Sequence, residues 1–214
     1  MRPTRWSYSS LTTYEECPAK WKYSYIDNLP DPPSPAMERG TRLHKLCETV
    51  LTQDVETPSE LMNIARVLER LRVNSAQSEK AWRLDSKWKP VSEKSWVLGI
   101  IDVHFMKDDA LHVYDFKSGK PYASHKKQLE LYALIGLATY PQAERVECGA
   151  IYIDTGKIGY KRTIERAEAD AAIPLWTNRA NALLADFELA PKRGSGCYWC
   201  AFKDSLGGPC KAWR

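Results

Sequence analysis

The sequence predicts a mixed α/β layer built around an acidic strand pair, and three observations point there. Two apolar, β-branched runs, Val97 to Met106 and Ala110 to Lys117, flank a short polar turn at Lys107 to Asp109. That is the pattern of adjacent antiparallel strands joined by a tight connection. Segments with apolar residues at helical spacing precede and follow this pair, so helices are expected to cover the sheet. A last stretch rich in Gly and Pro carries three cysteines, with too little apolar sequence around them to bury them all in a core.

In chain order, Ser7 to Tyr23 opens with Ser/Thr capping candidates and continues with aromatics at helical spacing. It predicts a short helix ending near Cys17-Pro18 and a second running toward Ile26. Leu29 to Pro35 is a Pro-rich linker. From Ala36 to Leu51, the residues Leu43, Leu46, Cys47, Val50 and Leu51 mark a helix with one buried face. His44 lies at the margin of that stripe, where a histidine is either a core residue or a ligand. Leu61 to Leu71 is a further amphipathic helix, and Ala81 to Trp88 opens the sheet.

Beyond the strand pair, Ser124 to Thr139 predicts a helix through Leu131, Leu134, Ile135 and Ala138. Its Gln128 and Tyr132, four residues apart, share a face that looks either toward the acidic strands or to solvent. Val146 to Ile153 has strand length, and Lys161 to Ile164 is a short partner after the turn at Thr155-Gly156. Ala167 to Leu189 reads as a closing helix, interrupted or restarted at Pro174, that packs Leu175, Trp176, Leu183 and Phe187.

A chain of 214 residues supports one sizeable core, and a net charge of +4 permits a polyanionic partner without requiring one. No apolar run approaches the length of a membrane span, and Met1 to Trp6 lacks the apolar region of a secretory signal. The expected location is therefore the cytoplasm, with no membrane partner. There the six cysteines stay reduced and are better candidates for metal ligation than for disulfides.

The acidic strands carry the chemistry. Asp115 and Lys117 sit two apart on one strand and project to one face, and Asp102 lies on a neighbour about 5 Å away. Burying two acids and a cation costs several kcal/mol without compensation, and a divalent cation held by the carboxylates is the simplest one. The plainer reading is an exposed ion pair on an edge strand, which is common and weak.

In the tail, Cys197-Tyr198-Trp199-Cys200 with Cys210 is a metal-ligand pattern for zinc or an iron-sulfur cluster. Both take four ligands as a rule. Cys17 is the candidate fourth, tying the N-terminal helix to the tail, unless it is only a packed small side chain. Cys47 and Cys148 sit in apolar periodic segments and read as core.

With these residues in view, the chain resembles the RecB-like branch of the PD-(D/E)xK nucleases. It is most similar to the iron-sulfur exonucleases, a group that includes CRISPR-associated and phage-encoded enzymes and the nuclease domain of AddB. The Gly-x-x-x-His helix matches Gly40 to His44, Gly-x-x-Asp matches Gly99 to Asp102, Asp-x-Lys matches Asp115 to Lys117, and Gln-x-x-x-Tyr matches Gln128 to Tyr132. The four occur in the expected order, with one cysteine before them and three after. The gap from Cys200 to Cys210 is longer than the family's short spacing, which sets Cys210 apart from Cys197 and Cys200 as a ligand.

The resemblance implies a restriction-endonuclease-like core, a central mixed sheet flanked by helices, within a single nuclease domain spanning 1–214. Segments 1–30 and 191–214 would be joined by a 4Fe-4S cluster on Cys17, Cys197, Cys200 and Cys210, structural in role. His44, Asp102, Asp115 and the main-chain carbonyl of Phe116 would hold Mg²⁺ or Mn²⁺, the imidazole tilting preference toward Mn²⁺. Lys117 would orient the attacking water, and Gln128 and Tyr132 would position the strand.

Lys192, Arg193, Tyr198 and Trp199 would touch the nucleic acid or be ordinary surface, and Glu79 is an acid near the first strand with no assigned place. The implied activity is a metal-dependent DNA exonuclease of recombination, repair or phage DNA processing, in the host cytoplasm if phage-encoded. Its substrate would be single-stranded DNA or DNA ends. With no helicase motif in the chain, duplex unwinding would need a helicase or recombination partner. Two alternatives remain open: a non-catalytic DNA-binding or assembly module on this fold, and a nuclease with structural zinc.

Overall fold

The computed structural model describes residues 3–53 and 55–212. Strands β1 (Gln77–Leu84), β2 (Val97–Lys107), β3 (Ala110–Lys117), β4 (Arg145–Tyr152) and β5 (Lys157–Glu165) form one sheet in sequence order. All neighbours are antiparallel except β3 and β4, which run parallel. A parallel pair needs a long crossover, and helix α5 (Ala123–Thr139) supplies it. The expected mixed sheet flanked by helices is present, and the acidic strand β3 is its middle strand.

Each face is covered by a different set of helices. On one, α3 (Pro35–Thr52), a 3-10 turn (Ser59–Ile64) and α4 (Ala65–Val73) bury Leu43, Cys47, Val50, Leu61 and Leu68 against Val103, Phe105, Phe116 and Ile151. On the other, α5 buries Leu131, Ala133, Leu134 and Ile135. It lies so close that a Cβ at Gly136 would stand 2.8 Å from the Leu111 side chain, so a larger residue there would force Leu111 or Trp82 to shift. Each fully buried Leu or Ile contributes roughly 1.5–3 kcal/mol, which makes this two-sided packing the main support of the sheet.

Contacts divide the chain into two compact units, Ser34–Ile173 with the sheet, and the segments before Pro33 and after Pro174. The boundary at Pro33 falls inside the Pro-rich stretch. The terminal unit contains α1 (Tyr8–Glu16), α2 (Pro18–Tyr25), the second half of α6 (Arg166–Ala185) and the cysteine-bearing tail. Ser7 caps α1 with a reciprocal box to Ser10, and Pro18 starts α2 after the extended Cys17. Trp6, Leu11, Trp21, Trp176 and Leu183 form its core. Trp176 stacks with Trp6 and lies under the Arg179 guanidinium, which also grips the Glu15 carboxylate at 2.7 and 2.8 Å.

Four boundaries differ from the sequence reading. Strand β1 begins at Gln77 and ends at Leu84, and the next residues turn because Asp85 accepts the N–H groups of Lys87 and Lys89. Strand β5 runs from Lys157, longer than the expected short partner, since its pairing to β4 starts at the turn itself. Helix α6 passes through Pro174 without interruption, forgoing one backbone bond, and stops at Ala185 rather than Leu189. Leu175 and Phe187 are exposed: Phe187 lies past the helix end, where Asp186 accepts the N–H groups of Glu188 and Leu189, and Leu189 is buried.

Candidate active site

Regular pairing fails where the acids sit. In the β1–β2 ladder Ser78 pairs with Val103 and Lys80 with Ile101, yet the intervening Glu79 and Asp102 do not pair. Glu79 adopts φ 51°, a left-handed conformation costing about 1 kcal/mol or more for a residue with a Cβ. Side-chain alternation reverses at the same point. Ile101 lies beside Gly99 and Ile135 on the α5 face, whereas Val103 and Phe105 join the α3 face. Asp102 faces α3, opposite Ile101, and Val103 follows it onto the same side.

The β2–β3 ladder also stops short, its last pair being Val103 and Tyr114. Continuing that register would set Asp102 opposite Asp115. Instead the Asp102 Oδ2 accepts the Phe116 N–H at 2.7 Å, so a carboxylate replaces a ladder carbonyl and the buried donor stays satisfied.

Helix α3 brings the imidazole. Ser34 caps it and Pro35 takes its first turn. Gly40, one turn before His44, lets the helix approach the end of β3, for a Cβ there would lie 3.3 Å from Ser118 Oγ. Asp154 fixes the same corner: it pairs with Arg39 and accepts the Gly119 N–H at 2.8 Å, and its carbonyl accepts from Asn63 at 2.9 Å.

Two groups of side chains result. In the first, His44, Glu79 and Asp102 each offer one ligand atom, all within 4.8 Å of one another, and His44 Nδ1 stands 3.4 Å from Asp102 Oδ2. They line a cleft of about 350 Å³ that also reaches Gly40, Lys45 and Glu48. In the second, Lys117 Nζ meets Asp115 Oδ2 at 2.6 Å and Gln128 Oε1 at 3.0 Å, and Gln128 Nε2 donates to Tyr132 Oη at 2.9 Å. Asp115 is 2% exposed, so this ion pair is not the exposed edge-strand pair of the plainer reading.

Electrostatics tie the groups together. Burial, then the Asp102 charge, raises the Asp115 pKa well above the carboxylate range, against the pull of Lys117. For His44, burial lowers the pKa but the Asp102 hydrogen bond and the charges of Asp102 and Asp115 outweigh it, so the net direction is up. Glu79 is solvent-exposed, yet partial desolvation and then the Asp102 charge raise its pKa. Crowded acids of this kind resist ionising together, and a bound cation would relieve them.

The structure thus joins His44 to Asp102, and Asp115 to Lys117, Gln128 and Tyr132. Asp115 stays paired with Lys117 and does not enter the His44–Glu79–Asp102 group. Phe116 buries its ring edge-on to the His44 ring. Glu79 is the residue that spacing did not place; only the backbone turn at φ 51° brings it in, and no sequence signal announces that.

A family model described as the PD-(D/E)XK nuclease superfamily matches residues 5–205. The chain belongs to the PD-(D/E)XK nuclease superfamily. No curated protein matches it. Among solved structures it resembles the protein SSO0001, with 17% identity over 99% of this chain and 88% of that one, at a TM-score of 0.50. It also resembles a Eubacterium rectale protein given a provisional exonuclease name, with 15% identity over 98% and 90% of the two chains, at a TM-score of 0.57. These likenesses concern the fold. PD-(D/E)XK nucleases typically use divalent metals, and an imidazole with two carboxylates suits such an ion.

The terminal unit holds a second donor set. Cys17, Cys197, Cys200 and Cys210 are free and line one cavity with Lys20 and Tyr23. The long gap before Cys210 is absorbed by a 3-10 turn (Asp204–Leu206) and by Gly207 at φ 78°, which double the chain back. Cys210 then exchanges backbone bonds with Phe202 and Asp204, beside the Cys197–Cys200 turn. Burial and the neighbouring Cys210 and Cys17 raise the Cys200 thiol. Cys47 and Cys148 are buried on the sheet faces, their thiols pushed up to about 12, in keeping with core roles. Among the described residues no helix is long and apolar enough to cross a membrane.

Proposed function

We propose that this nuclease is a metal-dependent deoxyribonuclease that degrades DNA from ends. The observation that carries the reading is the meeting, on adjacent strands, of a His/Glu/Asp donor set with a buried Asp–Lys pair. His44, Glu79 and Asp102 would hold the ion, and the family resemblance would add Asp115 and the Phe116 carbonyl to the set. A divalent ion there would supply Lewis-acid polarisation of the phosphate and a water of lowered pKa. Lys117, held by Asp115 and Gln128, orients the attacking water and offsets charge as the new P–O bond forms and the bond to the leaving sugar oxygen breaks. Gln128 and Tyr132 hold Lys117 in register and border the strand's path.

The whole chain, 1–214, acts as one nuclease domain in which segments 1–30 and 191–214 share a structural 4Fe-4S cluster. Such a cluster fits a reducing cytoplasm. Work on duplex DNA falls to a partner that opens ends, in recombination, repair or phage DNA processing.

The test is cleavage of end-labelled single-stranded and duplex DNA with Mg²⁺, Mn²⁺ or EDTA, by native protein and Lys117→Ala. Metal-dependent product ladders that vanish in the variant support the reading. Inactivity of metal- and cluster-replete native protein would replace it with a non-catalytic DNA-binding module. A colourless protein with stoichiometric zinc would sink the iron-sulfur assignment alone.

A further inference from the structure

Ser195–Trp199 forms a 3-10 turn that ends in two exposed aromatics, Tyr198 and Trp199, set between Cys197 and Cys200. Trp199 is 83% exposed, while Trp6, Trp21, Trp82, Trp88 and Trp176 are all buried. The same tail does own a core position: Phe202 is buried, its ring 5.4 Å from that of Tyr23. The segment therefore buries one aromatic and holds out another. Indoles seldom stand so open to water, because each leaves a large apolar face unburied.

The outward ring is braced. Tyr198 packs edge-on to Trp199 at 4.6 Å and 81°, and Lys203 Nζ stands 5.5 Å over the Tyr198 ring while donating to its carbonyl at 2.7 Å. Lys203 is the cation placed at this aromatic pair, while Asp204 opens the next turn and the Glu16 carboxylate lies against Gly196. An exposed, braced aromatic face with a lysine beside it has the chemistry of a stacking platform that also meets a phosphate. An apolar protein partner would find charged groups where it needs apolar neighbours.

We propose that Trp199 is a base-stacking platform for single-stranded DNA, with Lys203 at its rim contacting a phosphate. The inference rests on the deoxyribonuclease reading and adds the strand form: an unpaired base offers its face to the indole, whereas bases within a duplex are covered by their neighbours. Stacking of this kind tolerates any sequence.

The test measures anisotropy of a labelled oligonucleotide, single-stranded or as a blunt duplex, in EDTA so that nothing is cleaved. Native protein is compared with Trp199→Ala, Trp199→Phe and Lys203→Ala. Loss of one stacked base weakens single-strand binding roughly 5- to 150-fold in Trp199→Ala. Duplex binding changes less than about twofold, and Trp199→Phe recovers most of the loss. Lys203→Ala lowers the slope of log affinity against log salt by about 0.7, while Trp199→Ala leaves that slope alone. Unchanged single-strand binding in Trp199→Ala, or an equal loss on duplex, overturns the platform. Cleavage by native protein with unchanged Trp199→Ala binding removes the platform and keeps the nuclease. Trp199-dependent binding without cleavage does the reverse.

Discussion

The acidic cleft and the cysteine lobe each gather a set of donor side chains, and they are built in opposite ways. The cleft presents hard oxygen donors and an imidazole from two long strands and an 18-residue helix. Its carboxylates are held by the sheet itself: Asp102 takes the Phe116 N–H, and Asp115 grips Lys117. The lobe presents soft thiols from 3-10 turns and a Gly-Gly-Pro reversal, with Phe202 and Tyr23 as its packing. A preformed site binds its ion without folding around it, whereas a site made of turns draws stability from the metal. Under the proposed reading, the three donors of the cleft serve chemistry and the four thiols of the lobe serve stability.

The largest effects separate the two. Asp102→Asn keeps an oxygen to accept the Phe116 N–H but loses the charge, so cleavage should fall about 10³-fold or more while iron and sulfide per chain stay unchanged. Cys200→Ser should do the converse. It should lose the lobe's metal and lower the Tm by about 10 °C, a loss of about 3 kcal/mol, yet leave Mn²⁺ affinity of the cleft within about twofold by calorimetry. A Cys200→Ser protein that also lost cleft affinity would break the contrast.

Next in size is Glu79→Gln. If Glu79 is a ligand, Mn²⁺ affinity should drop about 10- to 100-fold with little change in Tm of the metal-free protein. Unchanged affinity would reduce the cleft to His44, Asp102 and Asp115.

The contrast also explains what was legible in the sequence. The strand pair and its acids were readable, because β-branched runs around a polar turn leave few alternatives. The helix spacing that set Gln128 beside Tyr132 is the geometry observed. Glu79 was not legible, since its place depends on a non-glycine residue at φ 51° and on a reversal of alternation that no period shows. Nor was the exposure of Phe187: apolar spacing continues past Ala185, but the helix stops there and Asp186 accepts the N–H groups of Glu188 and Leu189 in a following turn. Backbone conformation at Glu79 and local hydrogen bonding at Asp186 each won over periodicity.

A smaller effect is pH dependence. His44 and Asp115 both keep their protons to higher pH than usual, and a metal must displace those protons. Cleft affinity should therefore rise with pH through neutrality, by up to about tenfold per unit for each proton displaced. In the metal-free protein the sign is opposite: a raised folded pKa gives stability that is full below the unfolded value and is lost as pH climbs through the folded one. Thermal melts should lose stability between about pH 5 and about pH 8 relative to Asp115→Asn, and saturating Mn²⁺ should flatten the difference. Equal slopes for the two proteins would mean that Asp115 titrates as an ordinary carboxylate.

The smallest expected effect is at Arg39, whose guanidinium pairs with Asp154 at the corner between α3 and the turn after β3. Both partners are partly exposed, and pairs of this kind are worth about 0.2–1 kcal/mol. Asp154 would still accept the Gly119 N–H, and its carbonyl would still take Asn63, so Arg39→Ala should shift the Tm by no more than about 3 °C and cleft affinity by less than twofold. Gly40→Val, at the next position, should cost more, about 1–3 kcal/mol, because even a Cβ there comes within 3.3 Å of Ser118 Oγ. If Arg39→Ala proved the worse of the two, the cleft would be held by its surface ion pairs, and the claim that backbone geometry preforms it would fail.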